Sequence, residues 1–199
     1  MTLVLGIAGS PRRGGNSELL LDAALEGARE VGAEVRKLVL AELCFGGCRE
    51  CGGCAGGRDC VVRDDMVTVY GLLERADAII LASPIFFDGL TAQVKAMIDR
   101  GQVYWVRKYV LKQRAEVKRP GAVLCTAARI STDFSGALRT AHTWFLTMDM
   151  SMASLTFPGF DEKGAILDDP TALEGARALG RSLLQRDEMS FKNKDQSRR

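Results

Sequence analysis

This sequence predicts a doubly wound α/β domain, and three observations support that prediction. Five short apolar runs alternate with five longer segments of helical periodicity. Three of the runs are apolar on both alternating faces, as strands covered by helices on either side must be. The chain has 199 residues, 47% of them hydrophobic, which suits one well-buried core; two domains would be small.

The elements follow in order. Leu3–Ala8 is the first doubly apolar run, and Ser17–Gly32 follows as a helix with Leu20, Ala24, Ala28 and Val31 on one face and Gly32 as its stop. Glu34–Leu40 reads as the second strand and Asp65–Arg75 as the second helix. Ala78–Ser83 is the third strand, followed by a helix over Thr91–Arg100. Ala122–Ala127 is the fourth strand, doubly apolar apart from Thr126, and leads to a helix over Ser135–Met148. Met152–Phe157 is the fifth strand, and the last helix, Thr171–Arg186, has Pro170 just ahead of it, where the missing N–H costs nothing. Residues 1–188 therefore form a single domain, with a cysteine-rich loop over 44–60 and a polar tail over 189–199.

Composition excludes several function classes. Basic and acidic side chains nearly balance, 27 against 25, and the body of the chain carries no clustered excess of Lys and Arg. Neither nucleic acid nor a membrane surface is an expected partner. No apolar stretch approaches the roughly 18 residues that a membrane span requires. The first apolar run has no basic segment before it, so a cytoplasmic, reducing compartment is expected. There, closely spaced cysteines point to metal binding or catalysis before structural disulfides.

In a doubly wound sheet, ligands bind at the carboxyl ends of the strands. The loop after the first strand, Gly9-Ser10-Pro11-Arg12-Arg13-Gly14-Gly15-Asn16-Ser17, holds hydroxyls, an amide, two guanidiniums and small residues at a helix N-terminus. Free N–H groups and a positive dipole end make that a natural phosphate site. It is neither a Walker A loop nor a dinucleotide-binding glycine fingerprint. The plainer alternative is a turn capped by Asn16 or Ser17 with two solvated arginines. The loop after the third strand, Ser83-Pro84-Ile85-Phe86-Phe87-Asp88-Gly89, puts two aromatics at the ligand edge, where they suit the wall of a flat ring; either Phe alone would suit the core equally. Its backbone amides are candidate donors to the ring's polar edge. Asp99 and Arg100, at the end of the following helix, read as surface charges.

The pairing of GSPRRGGNS with SPIFFDGLTAQVKAMIDR resembles the NADPH-dependent FMN reductase group of flavodoxin-like proteins. The resemblance extends through Gly159–Ile166 and the final helix. It implies a sheet ordered 2-1-3-4-5, with the FMN phosphate on Ser10, Arg12, Asn16 and Ser17. It also implies isoalloxazine contacts from Pro84, Ile85, Phe86 and Phe87, and from the fourth-strand loop Thr126-Ala127-Ala128-Arg129.

The second strand leads to a loop with Cys44, Cys48, Cys51, Cys54 and Cys60. From Cys48 the spacing is C-x2-C-x2-C-x5-C, and the interspersed glycines let backbone wrap a compact inorganic core. Bacterial ferredoxins open with two similar C-x2-C steps, although here the fourth cysteine lies farther on and no proline follows. Zinc and unliganded, redox-active thiols remain alternatives; the single histidine, His142, lies far away. The spacing resembles that of the iron–sulfur flavoproteins, a branch of the same group. That resemblance implies a 4Fe–4S cluster on Cys48, Cys51, Cys54 and Cys60, with Cys44 spare or alternative. It further implies a homo-oligomer, dimer or tetramer, in which a cluster can face a neighbouring subunit's flavin.

Cys125, within an apolar strand, reads as a core residue, and His142 as a helix-face or packing residue. Met148, Met150 and Met152 read as core or interface filler, and Tyr104–Tyr109 as a loop or subunit contact. No Ser/His/Asp set or paired-carboxylate site assembles. The function expected is electron transfer between FMN and a cluster, with a ferredoxin-like donor or NAD(P)H as partner. One alternative is an NAD(P)H-dependent FMN or quinone reductase without a cluster; another is a zinc or redox-sensing module without turnover.

Overall fold

The computed structural model describes residues 1–115 and 118–184. Five strands, β1 (Leu3–Ala8), β2 (Glu34–Val39), β3 (Ala78–Pro84), β4 (Gly121–Ala127) and β5 (Ala153–Pro158), form one sheet. All neighbours pair parallel, in the order β2-β1-β3-β4-β5. The three doubly apolar runs become β1, β3 and β4, the three central strands. The edge strands differ: β5 alternates half-buried with exposed residues, and β2 exposes Arg36 and Lys37.

Among the described residues six α-helices accompany the sheet: α1 (Asn16–Glu30), α2 (Met66–Arg75), α3 (Ala92–Arg100), α4 (Gln102–Trp105), α5 (Ser135–Thr147) and α6 (Pro170–Ser182). Alternating strand residues feed two separate cores. Val4, Ile80, Leu124 and their neighbours pack under α1 and α6. Leu5, Ile7, Ile79, Leu81, Val123 and Cys125 pack on the other face with α2, α3 and α5. The Cys125 thiol is fully buried there, and burial pushes its pKa up to about 12. Met148 and Met150 also join this core, whereas His142 is exposed on α5.

Helices α1 and α6 meet backbone to backbone. A Cβ on Gly27 would lie 2.0 Å from the Arg177 carbonyl oxygen, and one on Gly180 would lie 1.8 Å from that of Ala24. Only glycine fits at either crossing point.

Most element ends shift by a residue or two. Helix α1 stops at Glu30, and the chain turns at Gly32 with φ of 88°. Thr91 and Asp169 cap α3 and α6, accepting from the N–H of Val94 and of Ala172. The expected loop over Tyr104–Tyr109 is instead helical: α4 runs straight into a π-helical turn, Val106–Val110. Val103 and Val106 are buried on this segment, which explains why it coils rather than loops. The final residues predicted for the last helix, 185–186, and the polar tail lie outside the described residues. Among the described residues no helix is long and apolar enough to cross a membrane.

Candidate functional site

The carboxyl ends of β1, β3, β4 and β5 open into one cleft of about 280 Å³. Its walls are Ser10, Pro11, Arg12, Gly15, Asn16 and Ser17 after β1, and Pro84, Ile85 and Phe86 after β3. Thr126, Ala127 and Ala128 follow from β4, and Phe160 and Asp161 from β5. The structure thus gathers nine of the eleven predicted cofactor residues. Phe87 and Arg129 do not line the cleft; Phe87 is fully exposed and Arg129 is exposed. Pro11, Gly15, Phe160 and Asp161 were not singled out from the sequence. The last two follow a strand whose carboxyl end was expected to face the ligand, and that was the available signal.

At the β1 end of the cleft, α1 begins with Gly15 as N-cap and no capping side chain. The N–H groups of Asn16, Ser17 and Glu18 have no acceptor among the described residues. They are therefore donors for an anion at a helix N-terminus. Ser10 is buried, its hydroxyl accepting from Arg12 N at 3.1 Å and donating to Arg12 O at 3.0 Å, which folds the loop tightly. Arg12 reaches across the cleft to the Asp161 carbonyl at 3.4 Å. Asn16 does not cap its own helix. Its Nδ2 donates to the carbonyls of Phe160 and Glu162, and its Oδ1 accepts from the N–H of Gly164 and Ile166. With its amide committed to the β5–α6 loop, Asn16 has its main-chain N–H left for a ligand.

Beneath this loop sits Glu18, only 3% exposed. Burial opposes its charge, but hydrogen bonds from Arg13, the Gly14 N–H and Lys37 outweigh it and hold the carboxyl down at about 2. Arg13 also pairs with Glu42, so it anchors the loop from outside.

The aromatic loop is held by a polar strut. Thr91, fully buried, donates from Oγ1 to the Gly9 carbonyl at 2.6 Å, and its N–H reaches Ser83 Oγ at 3.4 Å. This ties the β3 loop to the β1 loop. Ile85 N–H bonds Thr126 O, and Phe86 and Gly89 exchange backbone bonds around Phe87 and Asp88. Those two central residues have φ of 48° and 59°, a primed turn made without glycine. Their N–H groups have no acceptor among the described residues, so of the amides expected to serve a ring edge, these two remain free.

A second cavity, about 150 Å³, lies in the cysteine loop. Cys48, Cys51, Cys54 and Cys60 all line it, together with Val61, Val62, Val103 and Val106. Burial pushes the Cys54 thiol up, and the nearby thiols of Cys48, Cys60 and Cys51 add to that. Glycines shape the loop: Gly52, Gly56 and Gly57 have positive φ, and a Cβ on Gly53 would strike Val61 at 2.6 Å. Cys44 is exposed and does not line the cavity. Among the described residues no group of three or more Cys, His, Asp or Glu is arranged to hold a single metal ion. The four thiols surround a space with an apolar wall, and thiolates are the donor type that iron–sulfur cores require.

Arg100 corrects a sequence expectation. Asp99 is a surface charge paired with Lys95, but Arg100 is 2% exposed and lines the cysteine cavity. It forks onto Asp64 with contacts of 2.7 and 3.1 Å.

Comparison with known proteins places these features. The NADPH-dependent FMN reductase family matches residues 2–159. An iron–sulfur flavoprotein of Methanosarcina thermophila is 33% identical over 141 residues, 71% of each chain. Another, from Methanocaldococcus jannaschii, is 30% identical over 190 residues, covering 92% of this chain and 95% of its own. Among solved structures, an NAD(P)H:quinone oxidoreductase from Methanothermobacter marburgensis superposes with a TM-score of 0.66 at 20% identity, over 92% of this chain and 96% of that one.

Proposed function

Because the chain belongs to the iron–sulfur flavoprotein branch of the NADPH-dependent FMN reductase family and is a flavin-dependent oxidoreductase, we propose that it passes electrons between FMN and a 4Fe–4S cluster. The observation that carries this reading is that all four cysteines of the C-x2-C-x2-C-x5-C run line one cavity, in a chain that also has a cleft at the carboxyl ends of its strands. The cleft's 280 Å³ falls just below the roughly 300–1,000 Å³ of small-molecule sites, suiting a ligand that remains partly exposed.

The first turn of α1, Ser10 and Arg12 would bind the FMN phosphate, with Asn16 and Ser17 contributing there through their main-chain N–H groups. Pro84, Ile85, Phe86, Thr126 and Ala127 would hold the ring. Phe87 and Arg129 enter this reading through the backbone of their loops, since neither side chain lines the cleft. Cys48, Cys51, Cys54 and Cys60 would ligate the cluster. When bound, FMN exchanges one or two electrons and the cluster one, so together they connect a two-electron to a one-electron partner. The protein's part is to position and shield these groups. A ferredoxin-like protein or NAD(P)H fits as electron donor. A homo-oligomer, dimer or tetramer, in the cytoplasm completes the reading.

The test is an absorption spectrum of anaerobically purified protein with iron, sulfide and flavin analysis. Flavin plus about four irons per chain is expected, and Cys51→Ser should lose the iron while keeping FMN. Flavin without iron, even after anaerobic reconstitution, would refute the cluster and leave a cluster-free reductase.

A further inference from the structure

We propose that Arg100 sets the reduction potential of the cluster, its guanidinium supplying positive charge and its Nε–H a hydrogen bond to a cysteine or cluster sulfur. This rests on the cluster reading above and adds to it a residue outside the thiol set.

Arg100 ends α3, yet its side chain is 1% exposed. Nη1 donates to Asp64 Oδ2 at 2.7 Å and to Gly46 O at 3.1 Å. Nη2 donates to Asp64 Oδ1 at 3.1 Å and to Val62 O at 3.3 Å. The remaining donor, Nε, is buried with no acceptor among the described residues. Buried donors in native proteins nearly always have a partner, so an orphan calls for an explanation. The cavity that Arg100 lines holds the four thiols, and their sulfurs are acceptors there alongside the side-chain oxygens of Glu50 and Gln102. Cys60 and Arg100 border the same cavity. Tyr70 donates to the Arg100 carbonyl at 2.8 Å and holds the end of α3 in place.

Asp64 neutralises much of the guanidinium charge, but the pair is not symmetric about the cavity. Arg100 is among its lining residues and Asp64 is not, so the cation is the member of the pair that borders the cavity, whose other charged lining residues, Arg49 and Glu50, are of opposite sign. Reduction adds one electron and no proton, making the cluster and its thiolates more negative by one charge. A cation and an N–H donor at that wall favour the reduced form, because cluster potentials follow net charge and hydrogen bonds to sulfur.

The experiment is a dithionite titration of the iron-loaded protein followed by electron paramagnetic resonance. Arg100→Gln is expected to lower the midpoint by about 59 mV or more, a tenfold change in a one-electron equilibrium. Asp64→Asn breaks the same ion pair but keeps the cation, and should leave the midpoint unchanged or raise it. Arg100→Lys keeps charge and a donor for Asp64 but lacks the Nε–H; it should fall in the same direction by less, and it decides the matter if Arg100→Gln fails to fold or to hold iron. An unmoved midpoint in whichever Arg100 variant holds iron, or an equal fall in Asp64→Asn, overturns the role of Arg100. Wild-type protein that takes up no iron refutes instead the cluster reading, and the inference falls with it.

Discussion

Glu18→Gln removes a buried carboxylate without changing its shape, and its consequence depends on pH. The folded protein holds this carboxyl at about 2, against an ordinary value of 4.5. A gap of that size, at 1.36 kcal/mol per pKa unit, stabilises the fold by about 3 kcal/mol where both states are ionised. Because the folded value is depressed, the contribution is complete above the unfolded pKa, near 4.5, and fades as pH falls toward 2. At pH 3 roughly 1–2 kcal/mol remains. Little screening applies, since the Glu18 side chain is 4% exposed, although Arg13 is half exposed. Urea unfolding of wild type and variant, followed by circular dichroism at pH 7 and pH 3, measures the gap at each pH. The difference between the two proteins isolates Glu18 from every other titrating group. The gap should shrink by about half on acidification. A gap that is the same at both pH values would mean that Glu18 acts by packing alone and that its ion pairs contribute nothing.

Substitutions at three further positions probe the scaffold. Gly180→Ala places a methyl 1.8 Å from the Ala24 carbonyl, which no rotamer can relieve, so a loss of about 1–3 kcal/mol or more is expected. Gly175→Ala, on the same helix with nothing within 4 Å of its Cβ, should instead gain up to about 1 kcal/mol, and thermal melts of the pair compare the two directly. Thr91→Val keeps the shape but removes both the 2.6 Å donor to the Gly9 carbonyl and the acceptor that caps α3 at the Val94 N–H, for a loss of about 1–3 kcal/mol in urea unfolding that Thr91→Ser should largely restore. A Thr91→Val protein as stable as wild type would show that the strut between the two cofactor loops is dispensable.

The sheet was legible because burial writes itself into composition. Strands β1, β3 and β4 lack a polar face because each has helices on both sides, while β2 and β5 keep polar positions because they lie at the edges. The cleft was legible for the same reason: strand ends locate loops, and loop chemistry does the rest. What stayed hidden depends on contacts distant in sequence. Arg100 looks like any charge ending a helix until Asp64, 36 residues earlier, folds beneath it. Asn16 looks like a cap until the β5–α6 loop arrives to occupy its amide. Phe87 points outward because the turn at 86–89 adopts positive φ at two non-glycine residues, a conformation for which neither side chain gives a local signal.

The Asn16 clamp also bears on how the protein is made. Its partners lie 144 to 150 residues downstream, so the amide stays unanswered until nearly the whole chain exists. At ribosomal speeds of about 5–20 residues per second, that is a wait of roughly 7 to 30 seconds after Asn16 is added. During that interval the nascent chain offers a glycine-rich loop and a bare helix terminus, with nothing to seat them against. On the proposed reading, flavin capture belongs to the last stage of biogenesis, and an amino-terminal fragment that ends before Ile166 should emerge without flavin colour.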